Sequence, residues 1–337
     1  MDSAPHPLPS PVGPPVARGA GPAARRHTLR PGVVAVRRGD GWLQVGTGDD
    51  RLLLPDRPEV REHLAALRRG AVATTPAAGG APEPAVAAAD LRLAEAGLLV
   101  DADLLLDQLG RSRRASGGGG GDVDDPGAHV VSDLFAGDPG SAAERLRRRR
   151  EARVRVVAPA PWDDEVGRLL GASLLGRTDP GDLPAGGVLG RPGRAHPVLV
   201  VSAGEPSRHV LDDLVRDETP HLVVVLLAGR ARLGPLVEVG RTACVRCVDA
   251  SLGEEDPRHA LVTAQLADPP AGLAPEPVDP ALATLALAWA VRELATYVEG
   301  GLPTTWSTTL DIDASGLPRA TRWPRHPWCG CSWDAVG

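Results

Sequence analysis

The 337-residue chain contains no lysine; all 37 of its strongly basic side chains are arginine. A Walker-type phosphate-binding lysine and a Schiff-base lysine are therefore both excluded. Aromatic side chains are nearly as scarce, with one Phe and one Tyr beside seven Trp. A core drawn from this supply is aliphatic, built of Ala, Val and Leu. No uninterrupted apolar run reaches the ~20 residues of a membrane span. The N-terminal stretch MDSAPHPLPSPVGPPVARG lacks the apolar central segment of a secretory signal, which points to the cytoplasm. The net charge of −6 argues against a nucleic-acid partner. Cysteine is rare too, at four residues.

What is present falls into segments. Residues 1–27 are rich in Pro, Ala and Gly and bury too little to order, so they read as a disordered tail. Residues 28–110 form a small domain. Three short apolar runs (Val33–Val36, Trp42–Val45, Arg51–Leu54) separated by Gly/Asp turns predict an antiparallel meander. PEVREHLAALRRG then shows helical spacing at Val60, Leu64 and Leu67, and AVAAADLRLAEAG predicts a second helix stopping at Gly97. Strands followed by helices at this length make a unit of winged-helix size. RSRRASGGGGGDVDDPG, 111–127, has the composition of a flexible linker. From 128 to 337 strand patterns (ARVRVV, HPVLVVSAG, HLVVVLLAG) alternate with helical ones, predicting a doubly wound α/β domain with a parallel sheet. A long helix near ALATLALAWAVRELATYVEG and a hairpin around TTLDIDASGLPRA complete it.

The cysteines come as two pairs, Cys244-Val-Arg-Cys247 and Cys329-Gly-Cys331, with none left over. A tetrahedral zinc ion takes four soft ligands, and paired thiols on tight turns supply them. A redox C-x-x-C and four unrelated buried thiols are the competing readings, and His326 is an alternative to one thiolate. Four thiolates leave no open coordination position, so such a zinc is structural rather than catalytic.

LGPLVEVGRTACVRCVDASLGEEDP, followed by RHPWCGC, resembles the ThiF-like, ubiquitin-activating-enzyme-like proteins that accompany YcaO cyclodehydratases in thiazole/oxazole-modified peptide biosynthesis. The resemblance rests on Gly234-Pro235, Gly240, Cys244, Cys247, Asp249, Asp256-Pro257, His326-Pro327, Cys329 and Cys331. It implies that 28–110 is a PqqD-like winged helix binding the leader of a precursor peptide by β-strand addition. An exposed strand edge suits that role, because its unpaired N–H and C=O groups can accept a guest strand. The groove is placed between Arg51, Leu52, Leu53 and Leu54 on one side and the helix Val86–Ala96 on the other. Arg68 and Arg92 are candidates for acidic leader residues, against the plainer reading of solvated helix faces. A YcaO cyclodehydratase is the implied protein partner, and a homodimer through the α/β domain is compatible with the resemblance.

Active ThiF-like proteins adenylate a carboxylate, with a Gly-rich turn cradling ATP after the first strand. Here that turn reads APAPWDDEVG: no G-x-G-x-x-G, two prolines without N–H donors, and Asp163, Asp164 and Glu165 where phosphates would sit. The glycines of 184–193 read as a loop. Ser202 lies outside any G-x-S-x-G elbow. His209, His221 and His259 are scattered. The expectation is a catalytically silent scaffold without ATP, binding zinc and a peptide. The alternatives are an adenylating enzyme with a divergent nucleotide site and a winged-helix DNA regulator, the latter opposed by the acidic excess in the small domain.

Overall fold

The computed structural model describes residues 26–47, 51–70, 72–73, 83–115, 125–178, 196–267, 277–313 and 315–331. The chain divides into two compact units, one reaching Leu29 and resuming over Val33–Asp103, the other made of Arg30–Gly32 and everything from Leu104.

In the first unit, β2 (Ala35–Arg37), β3 (Trp42–Val45) and β4 (Leu52–Pro55) form the expected antiparallel meander, in the order β2-β3-β4. Helices α1 (Pro58–Arg68) and α2 (Pro84–Glu95) follow. Val60, Leu64 and Leu67 of α1 and Ala89 and Leu93 of α2 bury against Leu43, Val45 and Leu54, making the aliphatic core the composition implied. α2 stops as a Schellman turn: Leu98 N–H bonds the Leu93 carbonyl, Gly97 N–H bonds Ala94, and Gly97 takes φ of 64°. A second sheet, β5-β1-β6, was not foreseen. Its central strand β1 (Arg26–Leu29) lies between β5 (Val72–Ala73) and β6 (Leu99–Asp101). Arg26 and His27, assigned to the tail, are thus strand residues; the rest of that tail, 1–25, lies outside the described residues.

Helix α3 (Ala102–Ala115) corrects the linker reading: 111–115 are helical, and 116–124 lie outside the described residues. An Asp107–Arg111 pair supports the helix across one turn, and Ser112 is buried against Gly127. Helix α4 (Pro126–Gly137), also unforeseen, starts at Asp125, whose carboxylate accepts Gly127 N–H at 3.0 Å. Helix α5 (Pro139–Glu151) starts the same way at Asp138. Its basic face is largely neutralised. Arg145 and Arg149 converge on Glu299, while Arg147 and Arg148 pair with Glu144.

The second unit's seven-stranded sheet runs β13-β12-β11-β10-β9-β7-β8. β7 (Arg153–Val157), β8 (Gly176–Arg177), β9 (Val198–Ala203) and β10 (His221–Leu227) are parallel. β11 (Arg230–Val237), β12 (Thr308–Asp313) and β13 (Pro318–Arg322) are antiparallel, so the sheet is mixed: β12 and β13 are the expected hairpin, joined edge to edge with the parallel strands through β11. A tight turn at Gly229 folds β11 straight back on β10, which needs no crossover helix. Gly234 in β11 is obligatory, since a Cβ there would meet the Thr308 carbonyl at 2.4 Å.

Both faces are covered. Helices α6 (Trp162–Ala172) and α10 (Pro280–Val298) pack on Val154, Leu199, Val201, Leu222, Val224 and Leu233. Helix α7 (Arg208–Arg216) and the start of α8 (Val245–Glu255) pack on Val198, Val200, Val223 and Val225. α10, by length and composition, is apolar enough to cross a membrane; here it buries Ala286, Leu287, Ala290 and Leu294 in the sheet core.

His221, 1 % exposed, donates from Nδ1 to the Thr219 carbonyl at 2.9 Å. Burial pushes its pKa down to about 4, the carbonyl opposing and the Arg155 cation adding. Its folded pKa lies below the unfolded value, so its contribution is complete above pH 6.5 and is lost as pH falls toward 4. Unfolding free energy is expected to drop by roughly 3 kcal/mol more over that window in the wild type than in His221→Phe, measured by urea denaturation.

Candidate functional site

The turn after β11 aims the first cysteine pair. Glu238 N–H bonds Thr242 Oγ1 at 2.8 Å, and Ala243 N–H bonds Ser307 Oγ at 2.9 Å. Gly240 closes the turn with φ of 80°. Cys244 is then the N-cap residue of α8, and Cys247, in its first turn, donates its N–H to the Cys244 carbonyl at 3.0 Å. The second pair follows β13. Trp323 is fixed by its indole N–H to Thr309 Oγ1 at 2.9 Å, and Cys329 N–H reaches the His326 carbonyl at 3.0 Å.

These two turns bring all four sulfurs within 4.8 Å of one another. Cys244–Cys247 is 3.8 Å, Cys244–Cys329 3.6 Å and Cys247–Cys331 3.3 Å. A tetrahedron with metal–sulfur bonds of about 2.3 Å has edges of about 3.8 Å, so the spacing is compatible with zinc. Cys244 and Cys247 are buried beside Val237, Ala243 and Cys329, while Cys331 is half-buried. Accepting the Cys244 S–H, with help from Cys329, holds the Cys247 thiol down at about 6. Donating to Cys247, and then contacts with Cys329 and Cys331, push Cys244 upward. One sulfur carries charge only while its neighbours keep their protons, the behaviour of thiols packed for a shared cation.

His326 lies outside this sulfur set. Its Nε2 faces Glu254 Oε1 at 3.0 Å, and its Nδ1 accepts the Trp328 N–H at 3.3 Å. Both ring nitrogens are engaged, so the reading of His326 in place of a thiolate does not fit. Asp249 ties three helices together. It accepts two bonds from Arg208 of α7, at 2.8 and 2.9 Å, and faces His259 of α9 (His259–Ala267) at 3.2 Å.

On the first unit, β4 pairs with β3 alone among the described residues, and α2 packs against it, with Leu54 sharing a core with Ala89 and Leu93. Leu52 and Leu53 are half-buried and Arg51 is exposed. Leu54 is 1 % exposed and belongs to the core, so its side chain does not face the groove; only its backbone lies on the edge. Arg68 ends α1 and Arg92 lies in the last turn of α2, both exposed. Among the described residues none of Arg51, Arg68 and Arg92 makes an ion pair. Leu91, 61 % exposed beside Arg92, was missed, because one leucine in an Ala-rich helix reads as core.

The turn from β7 to α6 spans 158–161, with Pro161 as the N-cap residue and no side-chain cap. Asp163 at its start is claimed by Arg177 at 2.8 Å, and Glu165 pairs with Arg168. The 184–193 glycines lie outside the described residues.

No protein-family model and no curated protein sequence matches the chain. Solved structures do. The heterocyclase TruD aligns with TM-score 0.59 and 15 % identity over 91 % of this chain and 43 % of TruD. A heterocyclase in complex with substrate and cofactor aligns with TM-score 0.59 and 13 % identity over 91 % of this chain and 39 % of its own. The chain thus spans about two fifths of the heterocyclase chains it matches. E. coli MccB with succinimide aligns with TM-score 0.53 and 14 % identity, covering 92 % of this chain and 99 % of MccB. The microcin C7 biosynthetic enzyme MccB in complex with N-formylated MccA aligns with TM-score 0.52 and 15 % identity, at 91 % and 99 % coverage. At such identities the likeness establishes the fold alone: a mixed α/β architecture shared with TruD and MccB.

Proposed function

We propose that the chain is a zinc-containing scaffold in the maturation of a ribosomally made peptide. It takes the leader of the precursor as an added strand on β4 and presents the rest to a separate YcaO-type cyclodehydratase for azoline formation. The observation that carries this reading is the edge of β4 left without a further strand among the described residues, with Arg51 next to it in the chain and Arg92 on the helix α2 that packs against it, neither making an ion pair among the described residues. Main-chain bonds to the edge would supply affinity, and Arg51, Arg68 and Arg92 would favour acidic guest residues. The fold shared with TruD, and with an MccB crystallised with its peptide MccA, supports a peptide partner. The proposed setting is the cytoplasm.

The four cysteines would hold Zn2+ as thiolates, closing the coordination sphere to water. The ion supplies folding energy by tying the segment after β13 to the start of α8. At the β7–α6 turn the prolines cannot donate to a phosphate, and the acidic first turn repels one.

The second reading, an adenylating enzyme with a divergent nucleotide site, is favoured by the 99 % coverage of MccB, one structure of which carries AMPCPP. ATP–pyrophosphate exchange by the purified protein separates the two: the scaffold gives none, and exchange above background would establish the enzyme.

Two further outcomes are expected. Metal analysis finds about one zinc per chain, and Cys329→Ser lowers both metal content and melting temperature. Retention of full stability after complete metal removal contradicts the structural role. A fluorescent peptide copying the start of a short open reading frame beside the gene binds the full chain. Arg51→Glu with Arg92→Glu weakens it about tenfold or more, while Arg216→Glu on α7 of the second unit leaves it unchanged. Equal weakening by all three substitutions removes the groove assignment.

A further inference from the structure

The sulfur cage is built from two segments far apart in sequence, so something must hold the second turn in register before four bonds can close on one ion. We infer that His326 is the positioning residue of this centre, joining its two cysteine turns without ligating the metal. The inference rests on the metal reading above and adds a residue to it.

His326 is 7 % exposed and uses both backbone and side chain. Its backbone lies against the Cys247 sulfur as a hydrogen-bonding neighbour, so it touches the first pair directly. Its carbonyl accepts the Cys329 N–H at 3.0 Å, closing the turn that carries the second pair. Its Nδ1 accepts the Trp328 N–H at 3.3 Å, a donor that would otherwise be left over in the same turn. Its Nε2 donates to Glu254 Oε1 at 3.0 Å near the end of α8, the helix that Cys244 begins. With Nδ1 accepting from Trp328, the hydrogen toward Glu254 sits on Nε2, so the two ring contacts fix the tautomer. One residue thus binds both sulfur turns and the helix between them.

Arg325 reinforces the same turn from the preceding position, donating to the Cys331 carbonyl at 2.9 Å. The turn that results faces Trp328 outward, 89 % exposed, and Cys329 inward, 9 % exposed. That opposition of neighbouring side chains is what a fixed turn imposes. A freely rotating segment would bury the indole at the cysteine's expense. Pro327 narrows the backbone further between His326 and Trp328.

A residue that orients ligands typically changes metal affinity by 10–100-fold when removed, leaving the ligand set intact. The test uses Co2+ on the full-length chain, because its visible bands report the number of sulfur ligands and its affinity can be read by competition with a chelator. Wild type and His326→Ala are expected to show the same four-sulfur spectrum, with Co2+ and Zn2+ binding 10–100-fold weaker in the variant. His326→Asn, whose amide carbonyl can accept the Trp328 N–H, is expected to recover part of the loss. Glu254→Ala removes the other anchor at a side chain 73 % exposed, where folding is not at stake, and is expected to weaken binding several-fold.

A changed spectrum in His326→Ala would make the histidine a ligand and overturn the inference. Unchanged affinity in both His326→Ala and Glu254→Ala overturns it as well. The metal reading fails separately. If wild type takes up no metal, or binds it as well after Cys329→Ser, the cage itself is wrong and the positioning role falls with it.

Discussion

Four thiols within 4.8 Å of one another, three of their pairs at 3.3 to 3.8 Å, cannot all carry charge unless a cation sits among them. That constraint governs the second unit. The strands β11 to β13 exist as an antiparallel set, and their two exits, one at Val237 and one at Arg322, meet at the same cage. Without the cage the segment after β13 has few buried apolar side chains to hold it. Its strand is exposed along most of its length, and the turn beyond it exposes Trp328. A small core is reinforced by a cross-link where burial alone is insufficient.

The two halves of the sheet divide the labour. The parallel half, β8-β7-β9-β10, is the kind that in open α/β proteins places a ligand crevice at its carboxyl ends. Here the turn at that end is proline-bearing and followed by acids, and Asp163 is already engaged with Arg177. The antiparallel half carries the cage. Between them α10 is the shared core element, its alanines allowing close approach to the strands and its last turn leading to Glu299, where Arg145 and Arg149 converge. Its apolar length reflects burial on a sheet, which makes the same demand on composition as a bilayer does.

In the first unit the physics is that of an incomplete sheet. Three strands give one buried face, and the outer edge of β4 keeps backbone groups that nothing described in the chain satisfies with a further strand. Natural edges of this kind are usually blunted. Against this one packs a helix whose exposed surface includes Leu91, and Arg51 and Arg92 make no ion pair among the described residues. β2 is the other edge of the same sheet, so the docking proposed at β4 leans on the chemistry around it more than on an open edge as such.

Local pattern was enough for the meander, for α1 and α2 with the Gly97 stop, for β7, β9 and β10, and for the pairing of the cysteines into two motifs. Each depends on neighbours a few residues apart, where periodicity, turn residues and C-x-x-C spacing act directly. Local pattern could not foresee β1, whose partners Val72–Ala73 and Leu99–Asp101 lie far along the chain, so a short polar strand at the edge of a proline-rich tail reads as coil. Nor could it separate β11 from its surroundings, recognise that α5's arginines answer Glu299, or place Leu54 in the core instead of the groove. Those outcomes, and the contacts that engage both ring nitrogens of His326, depend on which distant groups the fold brings within hydrogen-bonding reach. Spacing in sequence pairs the cysteines; only the tertiary contacts bring the two pairs together.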